Sequence, residues 1–92
     1  MVSKHNRREF VAMLQEVLTI SRRGATKTRI ARKIGLNFQR ASAQVDILLS
    51  LDYLRKNMLD RRTDYFLTTK GELFLSSLAS IRGNLIELNP KS

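Results

Sequence analysis

Between Gly24 and Asn37 the chain has room for a helix of only about two turns, and longer stretches of helical periodicity lie on either side of this window. Upstream, the apolar residues Phe10, Met13, Leu14, Val17, Leu18 and Ile20 recur at steps of three and four. This predicts an amphipathic helix over about residues 5–23, stopped by Gly24 after a basic last turn. Inside the window, Thr26 or Thr28 can cap a short helix over about residues 26–34 that carries Ile30, Ala31 and Ile34 inwards and ends at Gly35. Asn37 then caps a third helix, over about residues 38–52. Its inward stripe is Phe38, Ala41, Val45, Leu48 and Leu49, with Gln39, Ala43, Asp46 and Ser50 on the opposite side. Two helices joined by the tight turn Gly35-Leu36-Asn37 make a helix-turn-helix.

A β-hairpin is predicted directly after the third helix, over about residues 54–68. Its strands are Leu54 to Leu59 and Tyr65 to Thr68, and they flank the polar segment Asp60 to Asp64. A hairpin in this place is a wing. Thr69, with Glu72 three residues on, has the spacing of a capping box and opens a last helix that runs to about Leu88, ahead of Asn89-Pro90. The fold class that follows is mainly α with a small β-hairpin, a winged helix-turn-helix. Residues 1–68 form the nucleic-acid-facing region, and residues 69–92 form a C-terminal dimerisation helix within the same domain. The basis for that helix is a heptad seam, Phe74, Leu78, Ile81, Leu85 and Leu88, backed by Leu73, Leu75, Ala79 and Ile86. A core this small cannot cover so wide a stripe along its whole length.

Charge points to the partner. Seventeen Lys or Arg face eight Asp or Glu, giving a net charge of +9 on 92 residues, which suits a polyanion. Residues 1–40 hold ten of the bases and two of the acids. The window from Arg22 to Arg40 holds seven bases and no acid, although solvated helix faces usually mix signs. In a helix-turn-helix the N-terminal part of the second helix meets the major groove, so Gln39, Arg40, Ala43 and Gln44 are the candidate base contacts. Arg40 suits guanine, either Gln suits adenine, and Ala43 suits a thymine methyl. Arg22, Arg23, Lys27, Arg29, Arg32 and Lys33 are the candidate contacts to the DNA backbone. Arg55, Lys56, Arg61 and Arg62 of the wing are expected on the backbone or in the minor groove.

Other classes of function find little support. With no Cys there is no disulfide framework, thiolate nucleophile or Cys-based zinc site. The single His, His5, lies in a polar segment without an acidic or thiol partner nearby in sequence, and no nucleophile elbow, phosphate loop or zinc spacing occurs. No enzyme, cofactor or small-molecule ligand is expected. No apolar stretch of signal-peptide or membrane-spanning length follows the basic N-terminus, so the expected setting is cytoplasmic, at the nucleoid, with no membrane partner. Two alternatives remain: a winged-helix module that binds a protein, and a binder of structured RNA.

The segments Gly24-Ala25-Thr26-Lys27-Thr28-Arg29-Ile30, Leu36-Asn37-Phe38, Leu48-Leu49-Ser50-Leu51-Asp52-Tyr53-Leu54 and Tyr65-Phe66-Leu67-Thr68-Thr69-Lys70-Gly71 together resemble the small archaeal winged-helix DNA-binding proteins, across roughly residues 8–80. That family includes basic chromatin-type proteins that dimerise through a C-terminal helix forming an antiparallel coiled coil. The resemblance implies that helix 38–52 enters the major groove, the hairpin serves as a wing, and Phe74 to Leu88 forms the seam of a homodimer on double-stranded DNA. The last helix is shorter than the arm of the chromatin-type members, and Gly83 interrupts it.

Overall fold

The computed structural model describes the backbone of residues 6–87 and the side chains of residues 10–80. In chain order the elements are α1 (Asn6–Ile20), a short 3-10 turn (Ser21–Arg23), α2 (Lys27–Ile34), α3 (Phe38–Ser50), β1 (Leu54–Leu59), β2 (Arg62–Leu67) and α4 (Thr69–Glu87). The first helix tightens at its end, where the buried Ser21 hydroxyl donates to the Val17 carbonyl at 2.8 Å. Gly24 then turns the chain at φ 86°. A Cβ on Gly24 would stand 2.5 Å from the Phe66 ring, so the residue is fixed both by its backbone angle and by the wing pressed against it.

Side chains cap α2 and α3 as helix starts require. Thr26 Oγ1 accepts from the Arg29 amide at 3.1 Å, and Asn37 Oδ1 accepts from the Arg40 amide at 2.8 Å. Thr26 is therefore the cap of α2, and Gly35 closes that helix in the left-handed conformation. The end of α3 is unusual. The Tyr53 amide donates to the Leu48 carbonyl and the Asp52 amide to the Leu49 carbonyl, a Schellman closure with Asp52 at φ 66° where glycine is common. The cap of α4 is Thr68 rather than Thr69: its Oγ1 accepts from the Gly71 amide at 2.9 Å and its hydroxyl donates to the Asp52 carbonyl at 2.7 Å. Glu72 thus falls one position beyond the capping-box site and is available for another partner. Gly71 lets the first turn of α4 cross the Tyr53 backbone, because a Cβ there would lie 2.1 Å from the Tyr53 carbonyl oxygen.

The wing is tighter than the sequence suggested. Its strands pair from Leu54 with Leu67 to Leu59 with Arg62, leaving only Asp60 and Arg61 in the turn. Asp60 takes φ 60°, a conformation Asp tolerates better than most side chains, so the polar segment joins the strand instead of forming a loop. A third element joins the hairpin. Ala25 and Tyr65 exchange both backbone hydrogen bonds, at 3.1 and 2.8 Å, which pins the hairpin to the junction between α1 and α2.

Every helix and both strands contribute to one core, which includes Val17, Leu18, Ile30, Val45, Leu48, Leu54, Tyr65, Leu75 and Leu78. Burying each large aliphatic side chain stabilises the fold by about 1.5–3 kcal/mol. Two aromatic residues expected in the core lie outside it, and Met13 is only partly buried. Phe10 is half exposed while Val11 is buried in its place, and Phe38, the first residue of α3, is 51% exposed because it precedes the turn that packs on α2. No helix among the described residues is long and apolar enough to cross a membrane.

Candidate nucleic-acid interface

The outward face of α3 follows from which residues the core claims. Ala41, Val45 and Leu48 are buried, so the helical period leaves Gln39, Arg40, Ala43, Asp46, Ile47 and Ser50 facing away, with Gln44 half-buried at the margin. Three of the four expected base-contact residues, Gln39, Arg40 and Ala43, are exposed together over the first two turns. Among the described residues Arg40 forms no ion pair. Ile47 was missed by the sequence reading. It is 52% exposed, one turn beyond Ala43, and its spacing of four from Ala43 was a signal that could have found it.

The bases flanking α3 fall into two groups. Lys27 was expected on phosphate, yet its Nζ lies 2.8 Å from Asp46 Oδ1 and 5.6 Å from the centroid of the Tyr65 ring. The hydrogen bond to Asp46 raises the Lys27 pKa above its ordinary value, against the opposing effect of burial. Lys27 therefore ties α2, α3 and β2 together and neutralises the one acid on the outward face of α3. Arg22, also expected on phosphate, forms a two-pronged pair with Glu72 of α4, with Nε 3.2 Å from Oε1 and the other contact between Nη2 and Oε2. Hydrogen bonding to Arg22 lowers the Glu72 pKa, and Glu72 raises that of Arg22.

Arg23, Arg29, Arg32 and Lys33 are exposed and, among the described residues, form no ion pair. A cleft of about 370 Å³ brings three of them together, Arg23 from the 3-10 turn after α1 with Arg29 and Lys33 from α2. Such a cluster can hold an anion such as a phosphate by charge and multiple N–H donors.

On the wing, Arg55 lies 5.0 Å from the centroid of the Phe66 ring, and Arg62 Nε is 3.0 Å from Asp64 Oδ1. Lys56 is exposed opposite Tyr65 in the ladder, and Arg61 is exposed in the turn. Met58 and Leu59, which the sequence reading treated only as strand residues, are each 68% exposed near the tip.

The expected dimer seam divides. Phe74 stacks on Tyr53 with centroids 4.2 Å apart and an interplanar angle of 9°, and Leu78, only 4% exposed, belongs to the core. Both are occupied within the chain, Phe74 on the Tyr53 ring and Leu78 in the core that α1 and α4 share, so neither is offered to a second copy as the heptad pattern suggests. Ile81 and Leu85 continue the helix, but their side chains lie outside the described ones, and Leu88 lies outside the described residues.

A family profile described as winged helix-turn-helix matches residues 7–85. No curated protein matches this sequence. Among solved structures, the fold is similar to that of Sso10a-2, a DNA-binding protein from Sulfolobus solfataricus, with a TM-score of 0.69 and 24% identity over 88% of each chain. It is also similar to the AntR antimony-specific transcriptional repressor, with a TM-score of 0.58 and 18% identity, covering 100% of this chain and 89% of that one.

Proposed function

The chain belongs to the winged helix-turn-helix family, and on that premise we propose that it binds double-stranded DNA as a homodimeric transcription regulator. The observation that carries this reading is the acid-free basic window: after Arg22 and Lys27 are paired internally, Arg23, Arg29, Arg32, Lys33 and Arg40 still stand exposed along the stretch that leads through α2 into α3. α3 supplies the reading head, with Gln39 and Arg40 offering paired donors and acceptors to base edges and Ala43 and Ile47 offering apolar contact to thymine methyls. Arg23, Arg29, Arg32 and Lys33 take phosphates, and the wing bases approach the neighbouring backbone or minor groove. Two solved structures of similar fold are described as a DNA-binding protein and a transcriptional repressor, which supports the same partner.

Titration of labelled duplex DNA across a salt series tests the proposal. A dimer neutralising about six to ten phosphates gives a slope of log affinity against log salt of about −5 to −9. Replacing both Arg29 and Arg32 by Ala should weaken binding on every sequence alike and flatten the slope, whereas Arg40→Ala should change which sequence is preferred. No binding at low salt, or preference for duplex RNA over duplex DNA in competition, contradicts the proposal.

A further inference from the structure

The wing carries two apolar residues that the core does not use. Tyr65 is the last buried residue of the hairpin, paired with Lys56, and three more residues of β1 lead on to Leu59. At the rise of a strand this carries the tip about 10 Å past the core, more than the roughly 7.5 Å depth of a B-form minor groove. Alternation places Met58 on the face shared with Thr63 and Leu59 on the face shared with Arg62, so each face of the tip bears one large apolar side chain. Single exposed apolar residues are ordinary, and each face here has only one, but the pair stands at the end of a projecting tip where both can enter the same narrow cleft.

The surrounding charge says which. Arg55, Lys56, Arg61 and Arg62 outnumber Asp60 and Asp64, and Arg62 already engages Asp64. A second copy of the same cationic tip would be repelled, whereas a polyanion is attracted. Resting on the duplex-binding reading above, we infer that Met58 and Leu59 form a wedge that enters the minor groove and partly unstacks a base step, so that the protein bends the DNA it binds. Two strands about 4.8 Å apart, with side chains on both faces, are wider than a minor groove of about 6 Å. The tip can therefore seat only where the groove opens, and opening accompanies the kink that apolar wedges produce. Asp60 at the apex keeps the turn itself from being a purely electrostatic contact, which leaves the approach to the bases to the two apolar residues behind it.

The test compares the full-length protein with the double variant Met58→Thr, Leu59→Thr, whose β-branched replacements suit an exposed strand. Duplexes carry 2-aminopurine at successive TA steps, and a second set carries a fluorescent donor and acceptor at its ends. The wild type should raise 2-aminopurine emission severalfold at one step and shorten the end-to-end distance. The variant should lose both signals and bind about tenfold more weakly, with an unchanged salt slope and an unchanged circular dichroism spectrum. Tight binding by the wild type with neither signal overturns the wedge and leaves the duplex reading standing; no duplex binding at all overturns both. The wedge is equally overturned if the variant keeps both DNA signals while losing affinity for phosphatidylserine vesicles or losing a self-association that the wild type shows.

Discussion

Arg22 and Glu72 stand fifty residues apart in sequence and meet through two side-chain hydrogen bonds, so one pair couples the end of α1 to the first turns of α4. The Arg22 hydrogen bonds hold the folded-state pKa of Glu72 below the ordinary 4.5. A depressed carboxyl stabilises the fold above its unfolded value, and that contribution is lost as pH falls through the lower folded value. The difference in thermal midpoint between wild type and Glu72→Gln should accordingly be constant from neutral pH down to about 5 and then shrink in more acidic solution. A difference that grows on acidification would show that the pair does not act this way. The pairings of Arg22 and Lys27 were not legible in the sequence for one reason: their acids lie fifty and nineteen residues away, and only the fold brings them together. The exposed bases of α2 carried no such dependence, and Arg29, Arg32 and Lys33 stand on the surface as local periodicity placed them.

At the scale of elements, local chemistry governs what can be read. The starts of α2 and α3 were legible because Thr26 and Asn37 act on amides three residues away. The end of α3 near Asp52 was legible too, but its manner of closure was not, because the closing residue is an Asp in a conformation usually left to glycine. Asp52→Gly should therefore stabilise the protein by about 0.5–1 kcal/mol, measured by denaturant unfolding, since it relieves the left-handed strain and leaves the carbonyl that Thr68 engages. Destabilisation would mean that the Asp52 side chain contributes more than its backbone costs. The hairpin shows the same limit. Alternation identified Tyr65 and Leu67, but the two-residue turn depends on Asp60 at φ 60°, and the bridge to Ala25 depends on a partner forty residues upstream.

For the whole molecule, the question is how much of α4 is left for a second copy once Phe74 and Leu78 are spent on the chain's own core. The proposed dimer must then be made by the distal half, through Ile81, Leu85 and Leu88. Sedimentation at micromolar concentration should report a dimer for the wild type and a folded monomer for Ile81→Ser with Leu85→Ser. Leu78→Ala should instead lower the unfolding free energy by about 2–5 kcal/mol, as a core truncation does. A wild-type monomer at that concentration refutes the dimer. The Ala25–Tyr65 bridge carries a consequence of another kind. Its two hydrogen bonds close a ring of chain that contains α2, α3 and β1 entire, and closing a ring of about forty residues costs about 3 kcal/mol of chain entropy beyond a constant. That cost is offset only when the elements inside the ring are in place, so the wing and the helix-turn-helix should melt together, with coincident midpoints for probes placed on each.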